Sequence, residues 1–161
     1  MILVAGIGNI FLGDDAFGSE VARRALHLAS PNVRVVDFGI RGLDLAYSLT
    51  DGYDAAIMID AVSQGGEPGT IYVIEPVVTE GEEGNTAIEG HSMDPARVLA
   101  LARSMGAAPA HIRIVGCEPE GFGSPDEGRM GLSGRVSAAV DDAVRVIEKL
   151  VREYEDTGGK A

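Results

Sequence analysis

The chain has 161 residues, 45% apolar and 24% charged, with 13 Lys+Arg against 25 Asp+Glu and a formal net charge of −12. That length and apolar content suit one ordinary domain with a sizeable core and exclude wholesale disorder. The acidity argues against partners as negative as nucleic acid or an anionic membrane, and a single cysteine, Cys117, excludes an internal disulfide.

Residues 2–5 are a continuous apolar run closed by Gly6, the pattern of a strand buried on both faces. Over 17–28 the period changes to helical, with Phe17, Val21, Ala25 and Leu28 on one face, until Pro31 stops it. A second strand is expected at 33–38, a short helix at 43–49 behind the Gly39/Gly42 turn, a third strand at 55–61 and a fourth at 70–75. Residues 79–90 hold four glutamates, three glycines and no basic residue. They read as a loop, either a solvated excursion or a binding loop. Asp94-Pro95 is an N-cap followed by proline at the first helical position, with Val98, Leu101, Ala102 and Met105 as the apolar face. A fifth strand is expected at 112–117. A loop follows over 118–132, then a last helix capped by Ser133 and facing the core through Val136, Val140, Ala143, Val144, Ile147 and Val151.

The order β-α-β-α-β-β-α-β-α predicts one α/β domain over 1–154, a mostly parallel five-stranded sheet covered on both sides by helices, with a flexible tail at 155–161. With no basic leader and no run near the roughly 20 apolar residues of a membrane span, the expectation is a soluble cytoplasmic protein. Nothing in the sequence demands more than a monomer.

The loop after the first strand, Gly6-Ile7-Gly8-Asn9-Ile10-Phe11, opens like a dinucleotide fingerprint and then fails it. Phe11 stands where a small residue is needed, and Asp14 and Asp15 would repel a phosphate. The bland reading of Gly6 and Gly8 is a tight turn. Cys117 closes a buried strand and reads as a small apolar residue rather than a nucleophile. His27 and His111 have no carboxylate partner suggested by spacing and read as structural. Three positions are candidates for a metal site: Asp15 in the first loop, Asp60 at the end of the third strand, and His91 before the Asp94-Pro95 helix. Carboxylates with imidazole suit nickel or zinc, and an aspartate inside Ile-Met-Ile-Asp-Ala needs a partner. Each also has a bland reading. Asp14 or Asp15 could cap a helix, Asp60 could take backbone N–H bonds in a turn, and a lone loop histidine is usually exposed.

The stretch Gly6-x-Gly8-Asn9-x-x-x-Gly13-Asp14-Asp15-x-x-Gly18 resembles the N-terminal signature of the [NiFe]-hydrogenase maturation proteases. Asp37-x-Gly39-x-x-Gly42, Ile59-Asp60-Ala61, His91 ahead of a helix, and Gly116-Cys117-Glu118-Pro119-Glu120 followed by Gly131-Leu132-Ser133 fit that family in order, over nearly the whole chain. The resemblance implies a three-layer α/β/α sandwich and an endopeptidase. It also implies a substrate, the nickel-loaded precursor of a hydrogenase large subunit, trimmed of its C-terminal extension. By motif position it assigns the metal-contacting and catalytic roles to Asp15, Asp60 and His91, with Asp14 as the alternative in the first loop. The nickel belongs to the substrate and serves as recognition element; no nucleotide is implied. Loops 79–90 and 118–132 are candidates for reading the extension. A different class, a non-catalytic nickel-binding or nickel-sensing module built on the same three ligands, is the alternative.

Overall fold

The computed structural model describes residues 1–77, 94–122 and 130–158. Its strands are β1 (Ile2–Ile7), β2 (Val33–Gly39), β3 (Ala55–Ala61), β4 (Ile71–Ile74) and β5 (His111–Cys117). They form a sheet in the order β2-β1-β3-β5-β4, parallel except for β4, which runs antiparallel to β5. The helices are α1 (Phe17–Arg24), α2 (Gly42–Leu49), α3 (Pro95–Ser104) and α4 (Gly134–Gly158). The fold is therefore α/β, as expected.

Strand side chains alternate between two cores. Ile2 and Val4 of β1 and Ala55, Ile57 and Ile59 of β3 face a core completed by Phe17 and Val21 of α1 and Val140 and Ile147 of α4. Leu3, Ala5 and Ile7 of β1 and Ala56 and Met58 of β3 face the opposite core, with Leu45 and Leu49 of α2 and Val98 and Leu99 of α3. Two-sided burial is why these runs read as continuously apolar.

Three expectations need correction. The helix expected over 17–28 ends as α at Arg24 and continues as a 3₁₀ turn, Ala25–Leu28. His27 Nδ1 donates to the Arg24 carbonyl at 2.9 Å, taking an acceptor that an α-helix gives to the backbone four residues on. Ser133 is not a side-chain cap. Its carbonyl accepts from Ser137 N at 2.8 Å, but its hydroxyl donates to Asp14 Oδ2 at 2.9 Å. The helix α4 runs to Gly158, past Glu155 where the polar tail was expected to begin. Asp94 does cap α3, its carboxylate accepting from Ala96 N at 3.0 Å.

Candidate active site

The sheet order creates one special place. The chain leaves β1 for β2 on one side and returns to β3 on the other, so the connections diverge beyond the carboxyl ends of β1 and β3. Ligands of open α/β sheets bind at such a switch point. Asp15 follows β1 and Asp60 is the sixth of seven residues in β3, so the topology delivers both to this crevice.

The first loop is pressed against the sheet by missing side chains. A Cβ on Gly8 would stand 2.0 Å from the Asp15 carbonyl oxygen, and one on Gly18 2.1 Å from the carbonyl oxygens of both Ile7 and Ile59. Only hydrogen fits at either position, so the turn carrying Asp15 sits directly on the strand ends. The fingerprint-like glycines thus serve close packing.

The adjacent aspartates of the 3₁₀ turn Gly13–Ala16 point to different tasks. Asp14 is buried, and its oxygens accept from Glu120 N (2.8 Å), Gly121 N (3.2 Å), Ser133 N (2.7 Å) and Ser133 Oγ (2.9 Å). It ties the segment leaving β5 to the segment entering α4, beside a cavity of about 220 Å³ lined by Gly13, Glu120, Gly121 and Gly131. With its lone pairs taken, Asp14 is a structural anchor. Asp15 accepts from Asn9 N through Oδ2 at 3.0 Å, and burial pushes its pKa up.

Asp60 is buried and its Oδ1 accepts from Ala61 N at 2.9 Å. Burial raises its pKa well above the ordinary 3.8, and the charges of Asp15 and Asp94 raise it further. Neither Asp15 nor Asp60 pairs with a basic side chain among the described residues. Two carboxylates whose charges repel, one buried and one half-buried, favour a proton or a cation beside them. His91 lies outside the described residues, as do residues 79–90 and 123–129. Among the described residues, no three His, Cys, Asp or Glu side chains stand together as a metal site.

Three contributions were not read from the sequence. Besides Asp14, the charge of Asp94 reaches Asp60 from the α3 N-terminus. Glu118 is buried and accepts from Gln64 N (2.7 Å), Gly65 N (3.0 Å) and Tyr72 Oη (3.1 Å). These bonds hold its pKa below the usual carboxylate value and clasp the chain just beyond Asp60. The signal was available in Gly116-Cys117-Glu118-Pro119-Glu120, where an acid follows a buried strand and demands donors. Cys117 is buried and its thiol is pushed up to about 11, chiefly by burial, which makes it inert. His27 joins Glu148 of α4 at 3.0 Å, and His111 lies beside Tyr154; His27 thus has the carboxylate partner that spacing did not suggest.

The family model described as HycI, hydrogenase maturation protease, matches residues 19–150. The hydrogenase expression/formation protein HupD of Rhizobium leguminosarum is 36% identical over 152 residues, covering 91% of this chain and 73% of the relative. The hydrogenase 2 maturation protease of Escherichia coli is 30% identical over 155 residues, covering 94% and 91%. Among solved structures, the hydrogenase maturating endopeptidase HybD from E. coli superposes with a TM-score of 0.75 at 26% identity, covering 95% of this chain and 93% of the other. By family model, by sequence identity to its relatives and by fold, the chain belongs to the hydrogenase maturation protease family and is a peptidase.

Proposed function

We propose that this peptidase removes the C-terminal extension of a [NiFe]-hydrogenase large-subunit precursor once nickel has been inserted, and that the nickel held by the substrate is what it recognises. The supporting observation is the Asp15–Asp60 pair at the switch point: two acids with raised pKa values and no basic partner among the described residues. A dication offsets both the burial and the mutual repulsion that raise the pKa of Asp60, so the pair suits a metal centre brought by a substrate.

In this reading Asp15, Asp60 and His91 contact the nickel and so place the neighbouring peptide bond. Nickel held there would supply Lewis acidity to the scissile carbonyl, and a carboxylate left free would take a proton from the attacking water and give it to the departing amine as the C–N bond breaks. Asp14 and Glu118 act at a distance. One fixes the loop beside Asp15, and the other fixes the chain beyond Asp60. The protein works as a monomer in the cytoplasm, and it takes no nucleotide.

The test is to incubate the protein with nickel-loaded precursor and follow the product by mass spectrometry. Wild type should release the extension, nickel-free precursor should stay intact, and Asp60→Ala and His91→Ala should each lower the rate at least about 100-fold, the scale expected for losing a metal-contacting group. Equal cleavage by both variants would overturn the site assignment. Tight nickel binding by the protein alone, without cleavage, would favour the metal-carrying module.

A further inference from the structure

Helix α2 is apolar on two sides. Leu45, Ala46 and Leu49 are buried against the sheet, as an amphipathic surface helix requires. Its other side is not polar. Leu43 is 56% exposed and Tyr47, one turn on, is 57% exposed. Ile40, three residues before Leu43, is 64% exposed and extends the same spacing beyond the helix start.

Ile40 is displayed by a built turn. Arg41 N donates to the Phe38 carbonyl at 2.9 Å and Gly42 N to the Ile40 carbonyl at 3.0 Å. The Arg41 guanidinium donates to the carbonyls of Phe38 and Asp37 at 3.2 and 2.8 Å. This turn is continuous with the crevice. Gly8 N donates to the Gly39 carbonyl at 3.0 Å, and the next residue, Asn9, donates to Asp15 Oδ2 at 3.0 Å. Phe11, 58% exposed, lies two residues beyond Asn9, its N–H held by Asn9 Oδ1 at 2.9 Å. Two hydrogen bonds therefore separate the Ile40 turn from an active-site carboxylate.

Charge also sets this surface apart. Within the stripe Arg41 and Asp44 pair at 3.6 Å and cancel, while the whole chain carries −12. A charge-neutral apolar strip with a central tyrosine is the composition of a protein-docking core rather than of a steering surface.

We propose that Ile40, Leu43 and Tyr47, with Phe11 at the crevice edge, form the docking surface for the body of the hydrogenase precursor, seating it so that its metal centre meets Asp15 and Asp60. The proposal rests on the substrate assigned above. The occupant is the precursor because hydrogen bonds join this surface to the turn that carries Asp15, and a hydrogenase maturation peptidase must meet its polypeptide substrate there. Its contact face must be apolar, because charged groups buried against this strip would find no partner in it.

The test measures affinity and cleavage separately, using nickel-loaded precursor from the same organism. The variants are Ile40→Asp, Leu43→Asp and Tyr47→Ala, with Leu43→Met as the conservative control. All sit on exposed side chains, so thermal midpoints should match wild type. We expect precursor affinity by biolayer interferometry to fall about tenfold or more in Leu43→Asp and Ile40→Asp. KM should rise in parallel, kcat should stay within about twofold, and Leu43→Met should behave as wild type. Unchanged affinity in both aspartate variants overturns the surface. Wild type that binds precursor but does not cleave it removes the substrate reading of the chemistry while the docking result stands. Wild type that neither binds nor cleaves overturns both. A wild-type dimer in sedimentation that Leu43→Asp dissolves, with precursor affinity unchanged, makes the strip a self-interface and overturns the proposal.

Discussion

Neighbouring aspartates Asp14 and Asp15 show how little separates an anchor from a site. Asp14 is satisfied by three backbone amides and a hydroxyl from the β5–α4 connection. Asp15 is half-buried, with an amide on one oxygen. The sequence contains the pair but not the partners, which arrive from more than a hundred residues away. Hence local sequence alone does not distinguish the two. Asp60 carries a prediction at the same scale. Its folded-state pKa is raised, chiefly by burial, so the native protein holds its proton more tightly than the unfolded chain does. Stability contributed by neutral Asp60 is fully present below the unfolded value near 3.8 and is lost as pH rises toward the folded value. Asp60→Asn lacks that loss. In metal-free protein, Asp60→Asn should melt above wild type at pH 7, the gap closing as pH falls toward 4, while cleavage is abolished. Melting curves across pH 4–8 check this; a variant less stable than wild type at pH 7 would sink the account of Asp60 as a buried acid with no basic partner among the described residues.

At the scale of elements, what the sequence showed well was period. Apolar runs at 2–5 and 55–61 became two-sided strands, and the 3.6-residue stripe from Val136 to Val151 became the inner face of α4. Element ends were less legible, because side-chain hydrogen bonds set them. His27 tightens the end of the first helix by taking the Arg24 carbonyl three residues back, and Asp14, from across the fold, takes the Ser133 hydroxyl that local pattern assigned to a cap. The close approach of α1 to the sheet was invisible for the same reason, since a glycine's neighbours across the fold are not written beside it. Gly18→Ala tests that approach. Its Cβ would lie 2.1 Å from two backbone oxygens that cannot swing aside, so α1 must lift. The expected cost is about 3 kcal/mol or more, above the usual range for one added methyl because the obstacle is backbone. Gly134→Ala is the control, its Cβ meeting nothing within 4 Å, and should be neutral or slightly stabilising. Urea midpoints for the two variants should move in opposite directions or differ by at least that amount; equal midpoints would mean α1 is not seated as described.

For the whole molecule, the two-sided sheet makes the peptidase one cooperative body. Residues of β1 alternate between the α1/α4 core and the α2/α3 core, and so do those of β3, so neither helical layer can leave without exposing apolar strand surface. The candidate site depends on this, because Asp15 follows β1, Asp60 is next to last in β3, and the charge that reaches Asp60 from Asp94 comes from the cap of α3. Ile147 in α4 and Leu99 in α3 are buried on opposite faces. Truncating either to alanine removes comparable apolar volume and leaves a cavity, costing about 3 kcal/mol each. With helix layers about 10 Å either side of the sheet and no shared partners, the two costs should add to within about 0.5 kcal/mol in the double variant. Because the strands are common to both cores, each variant should still unfold in a single transition that fluorescence and circular dichroism report at the same urea concentration. Separate transitions for the two faces would show that the layers are independent, and the crevice would then be assembled from parts that can move relative to each other.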